Sequence, residues 1–388
     1  MAYKTYKVKL NPNNKQASKM LQTAGCARYA YNWALAAEKS NYEAGGRFLS
    51  DCDLRRMFTL HKADNPWLYE VSNDALKQSI KDACIAYQRF FKHQAKFPRF
   101  KSKKRTRPSF YMDTVKIEIT ETHVKLEKIA DSKKKNRAQA NWVRLVEHGR
   151  IPVGVSYANP RITFDGLNWW LSVGVETSVN AKTPSGNPIG IDIGIKSLAV
   201  CSDGAEYANI NKTNRVKEIE KQKCRLQRQV SRKYQINKKG NAYCKTSNIS
   251  KLEKQLLKVN HRLTNIRRDH LHQTTSSIIE RNPSAVVMED LNVTGMMKNR
   301  HLAKAVQRQC FNEFYRQMQY KCEWNGIAFI TADRYYPSSK TCSECGAIKK
   351  DLKLSDRTYI CSECGMVLDR DLNAAINLAR LAEIHIAA

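Results

Sequence analysis

Two spacings of apolar residues alternate along this chain and divide it. Tyr3, Tyr6, Val8 and Leu10 are interleaved with Lys4, Lys7 and Lys9 before Asn11-Pro12-Asn13-Asn14, a pattern that predicts a strand and a turn. From about Lys15 to His93 the period lengthens. Ala24, Tyr29, Trp33 and Ala36, then Ala75, Ile80, Ala83, Ala86, Phe90 and Phe91, recur at roughly helical spacing and predict a small helical domain. Alternation returns at Val115-Lys-Ile117-Glu-Ile119 and Val124-Lys-Leu126. Arg161–Glu176 then predicts a hairpin turning at Asp165-Gly166. Residues 108–180 therefore read as a β-rich domain that the N-terminal strand can join, followed by a linker, Thr183–Pro188.

Beyond the linker the pattern is α/β. Ile189-Gly-Ile-Asp192-Ile-Gly-Ile is a buried-strand run broken by one carboxylate, and Lys196–Cys201 predicts a second strand. Residues 212–280 predict two long charged helices interrupted at Arg232–Asn248. Ala285-Val-Val-Met-Glu289-Asp290-Leu is an apolar strand closing on carboxylates. A helix from about Gln307 to Trp324 and a strand at Gly326–Thr331 complete the series.

Charge changes the picture from fold to partner. There are 67 Lys and Arg against 36 Asp and Glu, a formal net charge of +31 spread along 388 residues. Such a field attracts a polyanion, so nucleic acid is the expected partner. No run of about 18 apolar residues is present, so no membrane partner is expected. The densest stretch is Lys96-Phe-Pro-Arg99-Phe-Lys101-Ser-Lys103-Lys104-Arg105-Thr-Arg107, which contains no acid. Its Lys and Arg can grip phosphates, while Phe97 and Phe100 can stack on bases or pack on a neighbouring domain.

Cysteine spacing supplies the sharpest local chemistry. Cys342-Ser-Glu-Cys345-Gly and Cys361-Ser-Glu-Cys364-Gly are two C-x-x-C-G pairs separated by fifteen residues. Each pair can set two soft thiolates on one structural Zn²⁺, with the following glycine free to make the tight turn. Cys26, Cys52, Cys84, Cys201, Cys224, Cys244, Cys310 and Cys322 follow no such pattern. No secretory signal opens the sequence, so a reducing cytoplasm is the expected compartment.

Carboxylates supply the second chemistry. Asp192 interrupts an apolar strand, where an unpaired charge is expensive, and a metal is the obvious partner. Glu289 closes a later strand, and Asp371 opens an Ala-rich helix just past the second cysteine pair. A strand Asp, a strand-end Glu and a helix Asp form the order of an RNase H-like nuclease, where bridging carboxylates hold two divalent ions. Asp290 and Asp369 stand close by, but adjacent strand residues point to opposite faces, so Glu289 and Asp290 cannot easily share one site.

Together, Gly190-Ile-Asp192-Ile-Gly194, Val287-Met-Glu289-Asp-Leu-Asn292, Asp333-Arg-Tyr-Tyr-Pro-Ser-Ser-Lys-Thr-Cys342, both cysteine pairs and Asp369-Arg-Asp371-Leu-Asn-Ala-Ala-Ile-Asn377 resemble the TnpB family over nearly the whole length. These are transposon-encoded RNA-guided DNA endonucleases related to type V CRISPR effectors. The resemblance implies a multidomain α+β and α/β protein. It assigns residues 1–10 and 96–183 to a wedge-like β-barrel, 11–95 to a helical recognition domain, and 184–388 to a RuvC nuclease domain carrying a zinc insertion at 340–368. It implies that Asp192, Glu289 and Asp371 are catalytic and hold Mg²⁺ or Mn²⁺. It further implies a guide RNA from the transposon end, a double-stranded DNA target read beside a short motif, single-stranded DNA as an additional substrate, and a monomer in a prokaryotic ribonucleoprotein. A nuclease-dead repressor or a DNA transposase are the alternatives. Ala130–Trp142, with Lys133–Lys135, departs from the short turn expected in the wedge domain.

Overall fold

Alternation along Ala2–Asn11 builds β1, and the Asn13 side chain then caps helix α1 (Asn14–Glu43) in a reciprocal pair with Gln16. In the computed structural model, which describes residues 2–129, 140–177, 183–353 and 356–387, the chain divides into two units, Met1–Ser178 and Val179–Ala388.

In the first unit, α2 (Asp51–Ala63) and α3 (Asn73–Phe91) pack with α1 around Leu35, Leu54, Phe58, Leu68, Leu76 and Ile80. The strands β2 (Ser109–Tyr111), β3 (Glu118–Ile119), β4 (His123–Lys125), β5 (Trp142–Leu145), β6 (Tyr157–Phe164) and β7 (Trp169–Thr177) join β1 in a seven-stranded antiparallel sheet of order β2-β6-β7-β1-β5-β4-β3. Phe110 on one edge strand and Ile119 on the other enter the same core as Val8, Leu171 and Val173, so the sheet wraps on itself in the manner of a barrel. The predicted hairpin turns at Asp165, whose carboxylate accepts from the backbone N–H of Leu167 and Asn168 and from the Trp170 indole. One strand is shorter than alternation predicts. Val115 is 89 % exposed, because the Asp113 side chain accepts its N–H and folds 113–117 into a turn. Lys133–Lys135 lie outside the described residues.

The second unit begins with β8 (Ile189–Ile193), β9 (Ser197–Cys201) and β10 (Glu206–Ala208), an antiparallel meander. Helices α4 (Asn214–Ile236) and α5 (Ser247–Glu280) follow, joined by a small ladder of β11 (Lys238–Lys239) and β12 (Ala242–Tyr243). Next come β13 (Ala285–Glu289), α6 (Val293–Met296), α7 (Ala303–Gln309), α8 (Phe311–Asn325) and β14 (Ala328–Ala332). The ladder of β15 (Thr358–Ile360) and β16 (Val367–Asp369) leads into α9 (Arg370–Ala387). The main sheet has order β10-β9-β8-β13-β14, with β13 parallel to both β8 and β14.

The helix predicted from Gln307 to Trp324 is two helices. Cys310 stands between them in the left-handed region at φ 56°. Gln309 is buried with its amide donating to the Gly194 carbonyl, and Asn211 donates to the Arg308 carbonyl. These long-range bonds outweigh the continuous helical pattern.

Candidate carboxylate and zinc centres

The two faces of the central strands decide where the carboxylates point. Ile189, Ile191, Val286 and Met288 pack with α5 and α8, whereas Ala285 and Val287 pack with Leu378 and Ala382 of α9. Since successive strand residues face opposite ways, Glu289 shares the α9 face with Val287, and Asp192 shares it with Gly190.

Gly190 shows how closely α9 approaches. A Cβ there would collide with the Ala375 carbonyl oxygen and the Ala379 nitrogen. Two residues along the strand from Gly190 to Asp192 advance about 6.6 Å, and four residues back along the helix from Ala375 to Asp371 advance about 6 Å. The helix therefore carries Asp371 alongside Asp192. Burial pushes the Asp192 carboxyl up to about 8, and the charges of Glu289 and Asp371 push the same way. Three acids from three separated segments thus meet at one end of the sheet.

The neighbouring acids are otherwise engaged. Asp290 pairs with the Arg334 guanidinium. Asp369 caps α9, accepting from the backbone N–H of Asp371 at 2.9 Å and of Leu372 at 3.3 Å, and also faces Lys196 at 3.6 Å. Glu289 instead accepts a hydrogen bond from the Ser338 hydroxyl.

The four cysteines of the two pairs converge, their sulfurs all within 4.8 Å of one another. Cys342–Cys364 and Cys345–Cys361 sulfurs are each 3.6 Å apart, unbonded, and close to the edge of a tetrahedron with metal–sulfur distances of about 2.3 Å. Gly346 and Gly365 adopt φ of 76° and 72°, the left-handed turn after each pair. The backbone N–H of Cys364 pulls the Cys361 thiol down, while hydrogen bonds among the crowded sulfurs push Cys345 and Cys364 up. This donor set fits a structural Zn²⁺. Tyr359 is fully buried beneath it and donates to the Lys340 carbonyl at 3.1 Å.

Two asparagines of α9 bind the zinc turn to the carboxylate helix. Asn373 accepts from the Ser343 N–H at 2.9 Å and donates to the Thr341 carbonyl at 2.7 Å. Asn377 donates to the Ser338 and Thr341 carbonyls at 2.8 and 2.7 Å. Ser338, Asn373 and Asn377 lie within the sequence motifs, but their spacing alone assigns them no role. The signal available was two Asn four residues apart on the apolar face of an Ala-rich helix.

Of the basic run, Lys96, Arg99, Lys103, Lys104, Arg105 and Arg107 are exposed. Lys101 is not. Its ammonium lies 3.5 Å from the centre of the Tyr31 ring, and Asn32 brackets its backbone through both amide groups. Burial lowers its pKa, although Asp82 opposes this. Phe97 likewise packs edge-on against Tyr87 and Phe90. A second basic surface, missed in the sequence, is a cavity of about 470 Å³ lined by Lys217, Lys221, Arg225, Arg228 and Lys304. Its one acid, Glu220, is taken up by Arg267 and Arg308.

Comparison with known proteins places this architecture. Residues 311–378 match the family model "Cas12f1-like, TNB domain", and residues 171–300 match "Probable transposase". Residues 1–47 match "Helix-turn-helix domain", although here they form one strand and one thirty-residue helix. A Streptomyces pristinaespiralis protein described as "Putative RNA-guided DNA endonuclease" is 30% identical over 97% of this chain and 88% of its own length. A relative from Escherichia coli K12 of the same description, InsQ, is 28% identical over 96% of this chain and 90% of its own. The fold is similar to that of Cas12f1 in a cryo-EM complex with sgRNA and target DNA, with a TM-score of 0.57 at 15% identity, covering 94% of this chain and 82% of that one. No helix among the described residues is long and apolar enough to cross a membrane. By its motifs and by its similarity to full-length relatives, the chain belongs to the TnpB family.

Proposed function

We propose that the chain is an RNA-guided DNA endonuclease that hydrolyses phosphodiester bonds with Asp192, Glu289 and Asp371. The observation that carries this reading is the meeting of three carboxylates around Asp192, whose carboxyl burial and neighbouring charge push up to about 8. Left without a cation, such a cluster costs the fold energy that the nearby Arg370 charge offsets only in part. Mg²⁺ or Mn²⁺ ions there would activate the attacking water and stabilise the departing oxygen. The chain's own part is to hold the ligands. Asp192 sits on a rigid central strand, Glu289 is oriented by the Ser338 hydroxyl, and Asp371 is fixed by the capped first turn of α9. Asp290 and Asp369 are left out because Arg334 and the helix amides already occupy them.

The wrapped sheet corresponds in this reading to the wedge domain, the α1–α3 bundle to the recognition domain, and Val179–Ala388 to the nuclease domain with its one zinc. The guide is RNA from the transposon end, the target is double-stranded DNA beside a short motif, with single-stranded DNA a further substrate. The protein works as a monomer in a cytoplasmic ribonucleoprotein. Base pairing reads the sequence while the protein reads the motif and the backbone. Exposed Lys96, Arg99, Lys103, Lys104, Arg105 and Arg107 supply phosphate contacts.

The test is a cleavage assay with Mg²⁺ and a guide whose targeting segment alone is changed. Cutting should move to the newly matched duplex with the same flanking motif. Cutting that ignores the guide would return the chain to the transposase class.

A further inference from the structure

Ser338 is 3 % exposed and lies between the two centres without belonging to either ligand set. Its hydroxyl donates to one oxygen of Glu289, and its N–H is bound to the Tyr336 carbonyl at 2.9 Å. Its own carbonyl accepts from Asn377 at 2.8 Å, and the same amide reaches the Thr341 carbonyl at 2.7 Å. Pro337 to Thr341 is one tight turn, since the N–H and hydroxyl of Thr341 both bond the Pro337 carbonyl, and Cys342 follows immediately. Hydrogen bonds through Ser338, Asn377 and Thr341, with the peptide link from Thr341 to Cys342, thus connect the cysteine cluster to one oxygen of Glu289.

We propose that Ser338 is the positioning residue of Glu289, and that through it the zinc module sets the geometry of the carboxylate site. The inference rests on the nuclease reading above and deepens it. A carboxylate at a strand end is free to rotate about its last torsion. A hydroxyl on one oxygen fixes that rotation and leaves the other oxygen to a cation, as supporting hydrogen bonds do for metal-bound carboxylates in general. Tying the Ser338 backbone carbonyl to α9 through Asn377 keeps Glu289 in register with Asp371 of that helix. Zinc therefore does more than fold its own loop.

The experiment compares Ser338→Ala, Ser338→Thr and Asn377→Ala in the RNA-loaded complex, following cleavage against Mg²⁺ concentration, zinc content and guided DNA binding. Loss of a hydrogen bond to a charged ligand should raise the Mg²⁺ needed for half-maximal cleavage about tenfold in Ser338→Ala. Zinc should stay at one per chain and DNA binding should not change. Ser338→Thr keeps the hydroxyl and should restore most of the Mg²⁺ response, whereas Asn377→Ala should shift it in the same direction by less. The readout independent of activity is the Mg²⁺-induced rise in melting temperature. It should be smaller in Ser338→Ala than in wild type, and no smaller again in Ser338→Ala/Glu289→Ala than in Glu289→Ala, because the two residues act as one unit. A Ser338→Ala complex with the wild-type Mg²⁺ response overturns the proposal. Loss of zinc in Ser338→Ala with no rescue by threonine overturns it too, since the residue would then serve only the loop. Mg²⁺-independent cutting by the wild type would instead sink the nuclease reading itself.

Discussion

The second unit holds two clusters of ligand side chains that come together by opposite routes. The thiolates are assembled locally: each C-x-x-C-G turn brings its two sulfurs together, the first closed by the Thr341–Ile348 bridge and the second by the ladder of β15 and β16. The carboxylates are assembled by tertiary structure, from a central strand, the end of its parallel neighbour, and a helix almost 180 residues away in sequence. One cluster is gathered by the chain's own turns and the other only by the completed sheet and helix. The difference predicts that zinc loss disturbs folding first, while loss of a carboxylate removes the chemistry and leaves the fold standing.

Removing the carboxylates should give the largest effect. Asp192→Ala, Glu289→Ala or Asp371→Ala should each lower cleavage by about a thousandfold or more, with guided DNA binding kept, and any pair should be no worse than one. Gel-based cleavage rates check this against Asp290→Ala and Asp369→Ala. The former loses an ion pair whose side chains are 47% and 46% exposed, and the latter a helix cap, so each should cost about 1 kcal/mol or less in stability and little activity.

Breaking the thiolate cluster should act on the fold. Cys361→Ser should drop metal content from about one zinc per chain and unravel the ladder of β15 and β16, since structural zinc supplies folding free energy. Cleavage should fall with it, because Asn373 and Asn377 then lose the turn they hold. Elemental analysis and hydrogen exchange over residues 356–369 would register both.

A third variant reaches the carboxylates through packing. Gly190→Ala would drive a methyl group into the backbone of Ala375 and Ala379, moving α9 and with it Asp371. We expect a stability loss of about 1–3 kcal/mol in urea unfolding and a fall in cleavage without loss of zinc.

Much of this was legible in the sequence, and unevenly so. The cysteine spacing names its own ligands because the geometry is local. Asp192 and Glu289 stand out in the sequence as charges at the wrong place in apolar strands; strand alternation says only that Glu289 and Asp290 face opposite ways, and the preference for Glu289 is what the family resemblance implies. The partnering of Asp290 with Arg334 and the capping role of Asp369 were not legible, since both depend on how 333–341 and α9 settle. Lys101 shows the limit most plainly. In the sequence it is one of seven equal cations, and only the packing of α1 against that segment turns it onto Tyr31. Cys310 shows the same limit for secondary structure, where hydrogen bonds from Asn211 and Gln309 break a helix that periodicity runs straight through.

Acidity separates the centres further. The folded-state pKa of Asp192 is about 8, above the unfolded value of about 3.9. Below pH 4 the group is protonated in both states. As pH rises towards 8 the unfolded chain releases the proton while the folded one retains it, so stability is progressively lost and the loss is complete above the folded value. In Mg²⁺-free buffer, Asp192→Asn should therefore melt higher than wild type at pH 8 and nearly the same at pH 4. Melting curves across that range check it.

The smallest effect is expected in the first unit. Replacing Arg99, Lys103, Lys104 and Arg105 together should weaken binding to all targets alike and flatten its salt dependence, without changing the flanking motif. Lys101→Ala should instead lower thermal stability, because that cation is engaged with Tyr31.

The most direct measurement follows cleavage of a guide-matched duplex as Mg²⁺ is added back to complex exchanged into metal-free buffer, with zinc quantified in the same samples. The account predicts no cutting before Mg²⁺, full recovery after it, and zinc constant at about one per chain throughout. Cutting that persists without Mg²⁺, or that fails to return when Mg²⁺ is restored while zinc stays at about one per chain, would contradict it.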